Sequence, residues 1–191
     1  FSTESGFYLG TWGSSIKWIK DIPGAGNAGV EVDLYGGYKA EIVKGLGYDV
    51  GVLTYQYPSN KLSPKAETTE IYGALSYGPG TLKYSHAVTN TFANPDSKGS
   101  FYVDLSASFE VGPVVLAPHV GYQKIKGPNE DAASYTDYSL TASYEVVKGL
   151  ALSLAIVGTD ADKNFYVPGA NANSTKFLGK SAAVLGVKYS F

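Results

Sequence analysis

Charged side chains recur at every second position within segments that otherwise alternate apolar and polar residues. In residues 30–43, for example, Glu31 and Asp33 alternate with Val32 and Leu34, which is the two-residue period of a strand with one polar face. Charges that face a confined pore attract or repel ions more strongly than charges on an open surface. The residues predicted to line such a pore share the polar parity of their strands and are Glu31, Asp33, Lys39, Glu41, Glu70, Lys83, Asp104, Glu110, His119, Asp137, Glu145 and Lys188.

The predicted strand directions divide these charges between two ends. The end with the long loops receives acidic groups, namely Glu31, Asp33, Glu70, Asp104 and Asp137. The end with the short turns receives a mixture of Lys39, Glu41, Lys83, Glu110, Glu145 and Lys188. Two interpretations stay open. A ring of carboxylates makes the pore prefer cations, or the same groups pair with Lys, Tyr and Ser across the lumen and seal it.

Catalytic chemistry finds little support in the sequence. Of the two histidines, His86 is predicted to face outward beside Tyr84, and His119 inward. Ser85 precedes His86 in the same strand, so the two side chains point to opposite faces and cannot act as a nucleophile and its base. Two isolated histidines without any cysteine provide no metal-ligand spacing. We therefore expect no enzyme activity, no metal and no cofactor.

The elements that position these residues are predicted to be ten strands. Connections between them alternate strictly between long loops and short turns such as KGLG (residues 44–47) and GPG (residues 78–80), as in an up-and-down meander. In residues 48–57 the facing is not settled, because Asp49 shares a parity with Leu53 and Tyr55. The strands are residues 7–18, 30–43, 48–57, 68–77, 81–89, 101–111, 115–125, 135–146, 150–158 and 181–191.

This pattern predicts an all-β fold, a single transmembrane antiparallel up-and-down β-barrel spanning residues 1–191. No apolar run approaches the roughly 18 residues that a spanning helix needs. The alternative is a soluble barrel with an apolar lumen. Small residues on the polar face, aromatic residues near strand ends and the strict loop asymmetry favour the membrane. The net charge of −2 and the lack of arginine argue against a nucleic-acid partner.

The last strand carries a second signal. In SAAVLGVKYSF, residues 181–191, apolar side chains occupy every second position up to the terminal Phe191. This pattern resembles the recognition signal of bacterial outer-membrane barrels. The resemblance implies that Tyr189 and Phe191 form an assembly signal for the barrel-assembly machinery.

Three further stretches resemble the TorF family of outer-membrane porins: GFYLGTWGS (residues 6–14), EVDLYGGY (31–38) and YDVGVLTYQYP (48–58). The resemblance implies the outer membrane of a Gram-negative bacterium as the location and outer-membrane lipid as a partner. Members of that family usually carry residues before this point that form two more strands, so we expect twelve strands in the full-length protein.

The function expected from these observations is a porin-like channel for passive passage of small solutes or ions, with a weak preference for cations. The alternative is a sealed outer-membrane barrel that acts through its extracellular loops as an anchor, adhesin or scaffold. Closure of the lumen separates the two. The sequence identifies neither the solute nor the oligomeric state.

Overall fold

A computed structural model describes residues 1–167 and 176–191. Antiparallel strands dominate these residues, and a single four-residue helical turn, α1 (Glu130–Ala133), interrupts them. No helix in these two ranges is long and apolar enough to cross a bilayer. The strands are β1 (Phe7–Ser15), β2 (Val30–Val43), β3 (Leu46–Gln56), β4 (Thr68–Tyr77), β5 (Gly80–Ala87), β6 (Phe101–Ala107), β7 (Phe109–Val111), β8 (Val114–Lys124), β9 (Tyr135–Val147), β10 (Leu150–Thr159) and β11 (Ala182–Tyr189).

These strands form one antiparallel meander in the order of the chain, with β6 and β7 both paired to β8, so the predicted all-β hairpin order is confirmed. The predicted strand 101–111 is divided into β6 and β7 at Ser108. The division arises because β5 begins at Gly80, which pairs with Ala107. Beyond that point the neighbouring chain is a turn, and the Ser108 N–H donates to the Pro79 carbonyl instead, at 2.9 Å.

The predicted closure into a barrel is absent from the structure. β1 and β11 are the two ends of the sheet, and no ladder joins them within residues 1–167 and 176–191. The β1 edge is nevertheless partly covered. Phe1 exchanges two backbone hydrogen bonds with Leu9, both 2.9 Å long, and the Thr3 N–H donates to the Phe7 carbonyl. Residues 1–3 therefore pair antiparallel with β1 through an isolated bridge between Ser2 and Tyr8.

The sheet is strongly curved, with a polar concave face. Tyr8 on β1 and Tyr72 on β4 bring their hydroxyl groups into contact. In a flat sheet these strands would lie about 14 Å apart, three strand spacings, so the sheet must bend towards the two rings. This curvature identifies the face that carries Tyr8 as the concave one.

The convex face presents apolar side chains to the surroundings. One register row crosses five strands through directly paired residues, Leu75, Leu82, Leu105, Val120 and Tyr138. Each of these side chains is 43–55% exposed. The register row beside it runs through Ala74, Lys83, Asp104, Gly121 and Asp137 on the concave face. The sheet thus places its apolar side chains on the convex face and its charged side chains on the concave face.

Tyrosine rings on the concave face lie against glycines of neighbouring strands. Tyr8 is paired with Gly37 and Tyr72 with Gly51. A Cβ atom at Gly37 or Gly51 would stand 2.5 Å from the hydroxyl oxygen of the facing tyrosine. Gly10 under Tyr35 and Gly121 under Tyr102 repeat the arrangement. These glycines leave the space that allows the rings to lie flat on the wall.

The long loops pack together over one end of the sheet. Their core contains Ile19, Ala25, Tyr57 and Ala66, all at most 2% exposed. Trp18 packs edge-on against Tyr57 with ring centroids 5.5 Å apart. We call this packed group of residues 16–29, 57–67 and 88–100 the loop cap. Because it has a buried apolar core of its own, the loop cap is an ordered part of the fold.

Candidate functional site on the concave face

The first group of concave residues lies in the amino-terminal half of the sheet, where Tyr8 on β1 donates a hydrogen bond of 2.5 Å to the Asp49 carboxylate on β3. The Lys83 ammonium lies 4.1 Å from the centre of the Tyr72 ring, and that of Lys39 lies 5.7 Å from the centre of the Tyr8 ring. The cations therefore rest on aromatic faces, which attract them electrostatically. This group draws its side chains from the five strands β1 to β5.

A second group occupies the other wall, on β6, β8 and β9. His119 Nε2 lies 2.5 Å from Asp104 Oδ2, and His119 Nδ1 lies 3.6 Å from Asp137 Oδ1. The Tyr102 hydroxyl donates to both oxygens of Asp137, at 3.0 and 3.2 Å. His119 faces inward, as its parity predicts. The arrangement places a single imidazole between the two carboxylates of Asp104 and Asp137.

The third group lies directly beneath the loop cap. Asp33 on β2 is paired with Tyr55 on β3 and is only 9% exposed, and Glu70 on β4 is 4% exposed. The Tyr55 hydroxyl donates to Glu70 Oε2 at 3.4 Å, and the Glu31 carboxylate acts electrostatically on the Tyr57 hydroxyl. Three carboxylates thus converge at the mouth of the sheet, as the strand directions predict.

Burial is pronounced in the loop cap above these carboxylates. Burial, together with the nearby Glu31 carboxylate, raises the pKa of the Tyr57 hydroxyl well above its ordinary value. Burial likewise raises the pKa of Tyr166, whose hydroxyl donates to the Ala133 carbonyl at 2.6 Å. Both hydroxyls therefore remain neutral hydrogen-bond donors at ordinary pH.

An apolar cavity of about 480 Å³ lies within and beside the loop cap. Its walls include the rings of Trp18, Tyr57, Phe92, Tyr135 and Tyr166. The cavity adjoins the third group, because Tyr57 belongs to both and because Tyr55 packs edge-on against Phe92 with ring centroids 5.1 Å apart. An aromatic chamber and an acidic cluster therefore share one wall.

Several residues predicted to line a pore have other contacts in the structure. Glu41 Oε1 accepts a hydrogen bond of 2.5 Å from the Gly45 N–H, and Glu145 Oε1 accepts one of 2.7 Å from the Gly149 N–H. These two carboxylates bind the backbone of the short turns. Glu110 on β7 and Lys188 on β11 are exposed, and Lys188 stands on the strand at the open edge. The pore-lining role of all twelve residues stays a prediction.

Sequence reasoning missed the polar residues that tie the concave face together, Tyr8, Tyr72 and Asp49. The facing of residues 48–57 is now defined, since Asp49 contacts Tyr8 and is paired with Lys39. The missed signal is the pairing of tyrosine with glycine. An inward tyrosine needs a neighbour without a side chain, and the glycine-rich strands supply one.

Residues considered for catalysis do not come together. Ser85 is buried and is paired with Tyr72 and Tyr102, whereas the His86 ring stacks on Tyr84 on the convex face. The His86 Nδ1 atom and the Tyr84 hydroxyl are 3.1 Å apart. No set of three histidine, cysteine or carboxylate side chains has the geometry of a metal site within the described ranges.

Comparison with known proteins gives one match. A family model with the description "Bacterial protein of unknown function (Gcw_chp)" matches residues 1–191. No curated protein matches the chain. No solved structure matches it either. These results do not test the resemblance to TorF porins, and nothing in them links the chain to a porin.

Proposed function

We propose that this chain, which belongs to the Gcw_chp family of bacterial proteins, forms an outer-membrane channel through which small solutes pass passively, with a weak preference for cations. One observation carries the proposal. A curved sheet exposes a continuous apolar row on its convex face and holds charged and tyrosine side chains on its concave face. Hydrocarbon outside and water inside are the surroundings that such a sheet requires.

In the membrane we propose that the sheet closes into a barrel. An open edge in hydrocarbon leaves backbone N–H and C=O groups without partners, at several kcal/mol for each group by order of magnitude. Residues 1–3 already pair along the edge of β1. Pairing between the β1 edge and the β11 edge would satisfy the backbone groups of both.

The preference for cations follows from the charges on the concave face. Asp33, Asp49, Glu70, Asp104 and Asp137 outnumber the lysines among them, Lys39 and Lys83, each of which rests on a tyrosine ring. A pore with excess fixed negative charge accumulates cations and excludes anions, and salt weakens the effect by screening.

Reversal potential across a salt gradient tests this proposal. The full-length protein in a planar bilayer should conduct and prefer cations, and the double variant Asp104→Asn with Asp137→Asn should lose a clear part of that preference at low ionic strength. The matched control is Asp21→Asn with Asp131→Asn, which removes the same charge from two exposed residues outside the strands and should change the potential little. Equal effects of both double variants would contradict a pore lined by Asp104 and Asp137.

A second function is favoured by the loop cap. Its buried core and the Trp18–Tyr57 contact order three long loops over one end of the sheet, which is the arrangement expected of a sealed barrel that acts through its outer surface. One result would favour this anchor or adhesin role over the channel. The folded protein would insert into the bilayer without conducting, and it would still not conduct after residues 90–98 are shortened.

A further inference from the structure

The apolar cavity of about 480 Å³ within and beside the loop cap, which we call the aromatic cavity, has a volume within the range of small-molecule sites. No charged side chain is among the described residues that line it. Six aromatic rings form most of its wall, those of Trp18, Tyr57, Phe92, Tyr135, Phe165 and Tyr166. A ligand that suits this cavity is therefore uncharged and matches aromatic walls.

Gln123 on β8 brings a fixed hydrogen-bond acceptor to this wall. The residue lines the cavity and is 6% exposed. Its Nε2 atom donates to the Phe101 carbonyl at 3.0 Å and to the Lys124 carbonyl at 3.4 Å. The amide cannot be flipped, because its oxygen would then face two carbonyl oxygens.

The Oε1 atom of Gln123 is left without a donor. It accepts no hydrogen bond within residues 1–167 and 176–191, yet it is not sealed in the protein, since Asp33 Oδ1 is the side-chain atom of these ranges that is both buried and unpartnered. An accessible acceptor on a residue this buried faces the cavity that the residue lines. The aromatic cavity therefore contains one acceptor that a ligand can satisfy.

Tyr135 on β9 adds an aromatic ring beside this acceptor. It is directly paired with Gln123, so the two side chains share one face of the sheet. The Tyr135 ring packs edge-on against Tyr166, with centroids 5.5 Å apart, and Phe165 packs in the same way on Tyr166 at 5.1 Å. Ring-to-ring packing of this kind already forms part of the wall, and a further ring from a ligand extends it.

We infer that the aromatic cavity binds a small phenol, whose hydroxyl group donates to Gln123 Oε1 and whose ring packs among the rings of Trp18, Phe92 and Tyr166. A phenol offers the single O–H donor that the acceptor lacks. It is uncharged at neutral pH, because a phenolic hydroxyl has a pKa of about 10. An uncharged ligand suits walls on which no described side chain carries a charge.

The position of the cavity relates it to the proposed channel. Tyr135, Tyr166 and Leu178 line both the aromatic cavity and a second cavity of about 430 Å³. The second cavity is also lined by His119 and Asp137 of the concave face, so the two cavities are neighbours. The inference thus names a solute class for the channel and rests on the proposed function for its biological meaning, although binding itself requires no conduction.

Fluorescence of Trp18 tests the inference, with phenol as the probe. The chain has two tryptophans, and Trp12→Phe leaves Trp18 in the cavity wall as the reporter. Phenol added to the folded protein in detergent should change the Trp18 emission saturably. The converse variant, Trp18→Phe, reports from Trp12, which is 53% exposed, and its emission should show no saturable change.

Two further probes separate the hydroxyl group from the ring. Toluene has the shape of phenol without the O–H donor and should bind about tenfold more weakly, the order of one hydrogen bond. Cyclohexanol keeps the hydroxyl group without the aromatic ring and should bind several-fold more weakly. Equal affinities of phenol and toluene would overturn the inference, as would absence of saturable phenol binding.

Gln123→Leu removes the acceptor and keeps a side chain of similar size. It should lower the phenol affinity about tenfold and leave that of toluene unchanged, so the preference for phenol disappears. The matched control is Gln56→Leu, since Gln56 donates to Thr54 and does not line the cavity. An unchanged preference for phenol in folded Gln123→Leu would overturn the inference. The three probes in the parent keep the inference testable if this variant folds poorly, as judged by its mobility on an unheated gel.

The outcomes for site and channel are separable. A parent that conducts ions but does not bind phenol would overturn the phenol site and leave the proposed channel intact. A parent that binds phenol but does not conduct would keep the site and refute the channel.

Discussion

The Tyr8 hydroxyl donates to the Asp49 carboxylate at 2.5 Å, although the two residues are 41 positions apart and stand on β1 and β3, which are not paired with each other. The contact spans the intervening strand β2 on the concave face. It fixes the curvature of the first strands, because flattening the sheet would pull the two groups apart.

Loss of this contact should destabilise the fold. Tyr8→Phe removes the donor and leaves the Asp49 carboxylate without it, so the free energy of unfolding should fall by about 1–2 kcal/mol. Urea unfolding in lipid vesicles measures the change. Tyr77→Phe is the matched control, because Tyr77 is 72% exposed near a short turn. Equal losses in the two variants would argue against a structural role for the Tyr8–Asp49 bond.

Alanine substitutions at two glycines test whether the inward tyrosine rings need the space beside a glycine. Gly51→Ala places a methyl group 2.5 Å from the Tyr72 hydroxyl and 2.6 Å from the Gly36 carbonyl oxygen. We expect a loss of about 1–3 kcal/mol, the usual cost of overpacking. The control is Gly73→Ala on the next strand, where the nearest atom would be 3.9 Å away. Gly73→Ala should be close to neutral, and a larger loss there than at Gly51 would be the wrong result.

The alternation of turn lengths predicts an orientation for the outer-membrane barrel that we propose. The short turns between β2 and β3 and between β4 and β5 should face the periplasm, and the long loops the outside. A lysine-specific protease added to intact cells should cut at Lys163 or Lys176 and spare Lys44. Cleavage at Lys44 while both loop lysines survive would reverse the proposed orientation.

The terminal aromatic residue should govern insertion. The Phe191 side chain is fully exposed, so its removal should cost the packing of the sheet little. The centroid of its ring lies 6.2 Å from that of Tyr189. Phe191→Ala should lower the yield of folded protein in the outer membrane several-fold. Leu178→Ala removes an apolar side chain of similar size from a loop and serves as the control. Equal yields of the two variants would remove the basis for an assembly signal at Tyr189 and Phe191.

The loop cap should loosen in alkali. Because the folded-state pKa of Tyr57 is raised, the folded form holds its proton more tightly than the unfolded form, whose pKa is about 10. The stabilisation from Tyr57 is therefore complete below that pH and declines as pH rises through the folded-state pKa. Proteolysis of the loop cap should accelerate above about pH 10, and Tyr57→Phe should show a weaker alkaline dependence. An identical pH profile in the variant would exclude Tyr57 as the cause.

Much of the sheet can be predicted from the sequence, because apolar and polar residues alternate with a period of two along most strands. The faces of residues 30–43 and 101–107 separate cleanly, and their directions place Glu31, Asp33 and Glu70 at one mouth. Two features escape this reasoning. The contact of Tyr8 with Tyr72 depends on curvature, which is a property of several strands together. The loop cap depends on packing between loops far apart in sequence, such as Trp18 on Tyr57, for which no periodic signal exists.

The flat seating of Tyr8, Tyr35, Tyr72 and Tyr102 on glycines also bears on the width of the channel that we propose. Each glycine acts as a recess, and a methyl group placed there would push the facing ring away from the wall. In a closed sheet, exchange of one such glycine for alanine would therefore narrow the interior without altering any charge, at the cost in stability expected for Gly51→Ala. Size selection and charge selection would then be set by different residues of the same wall.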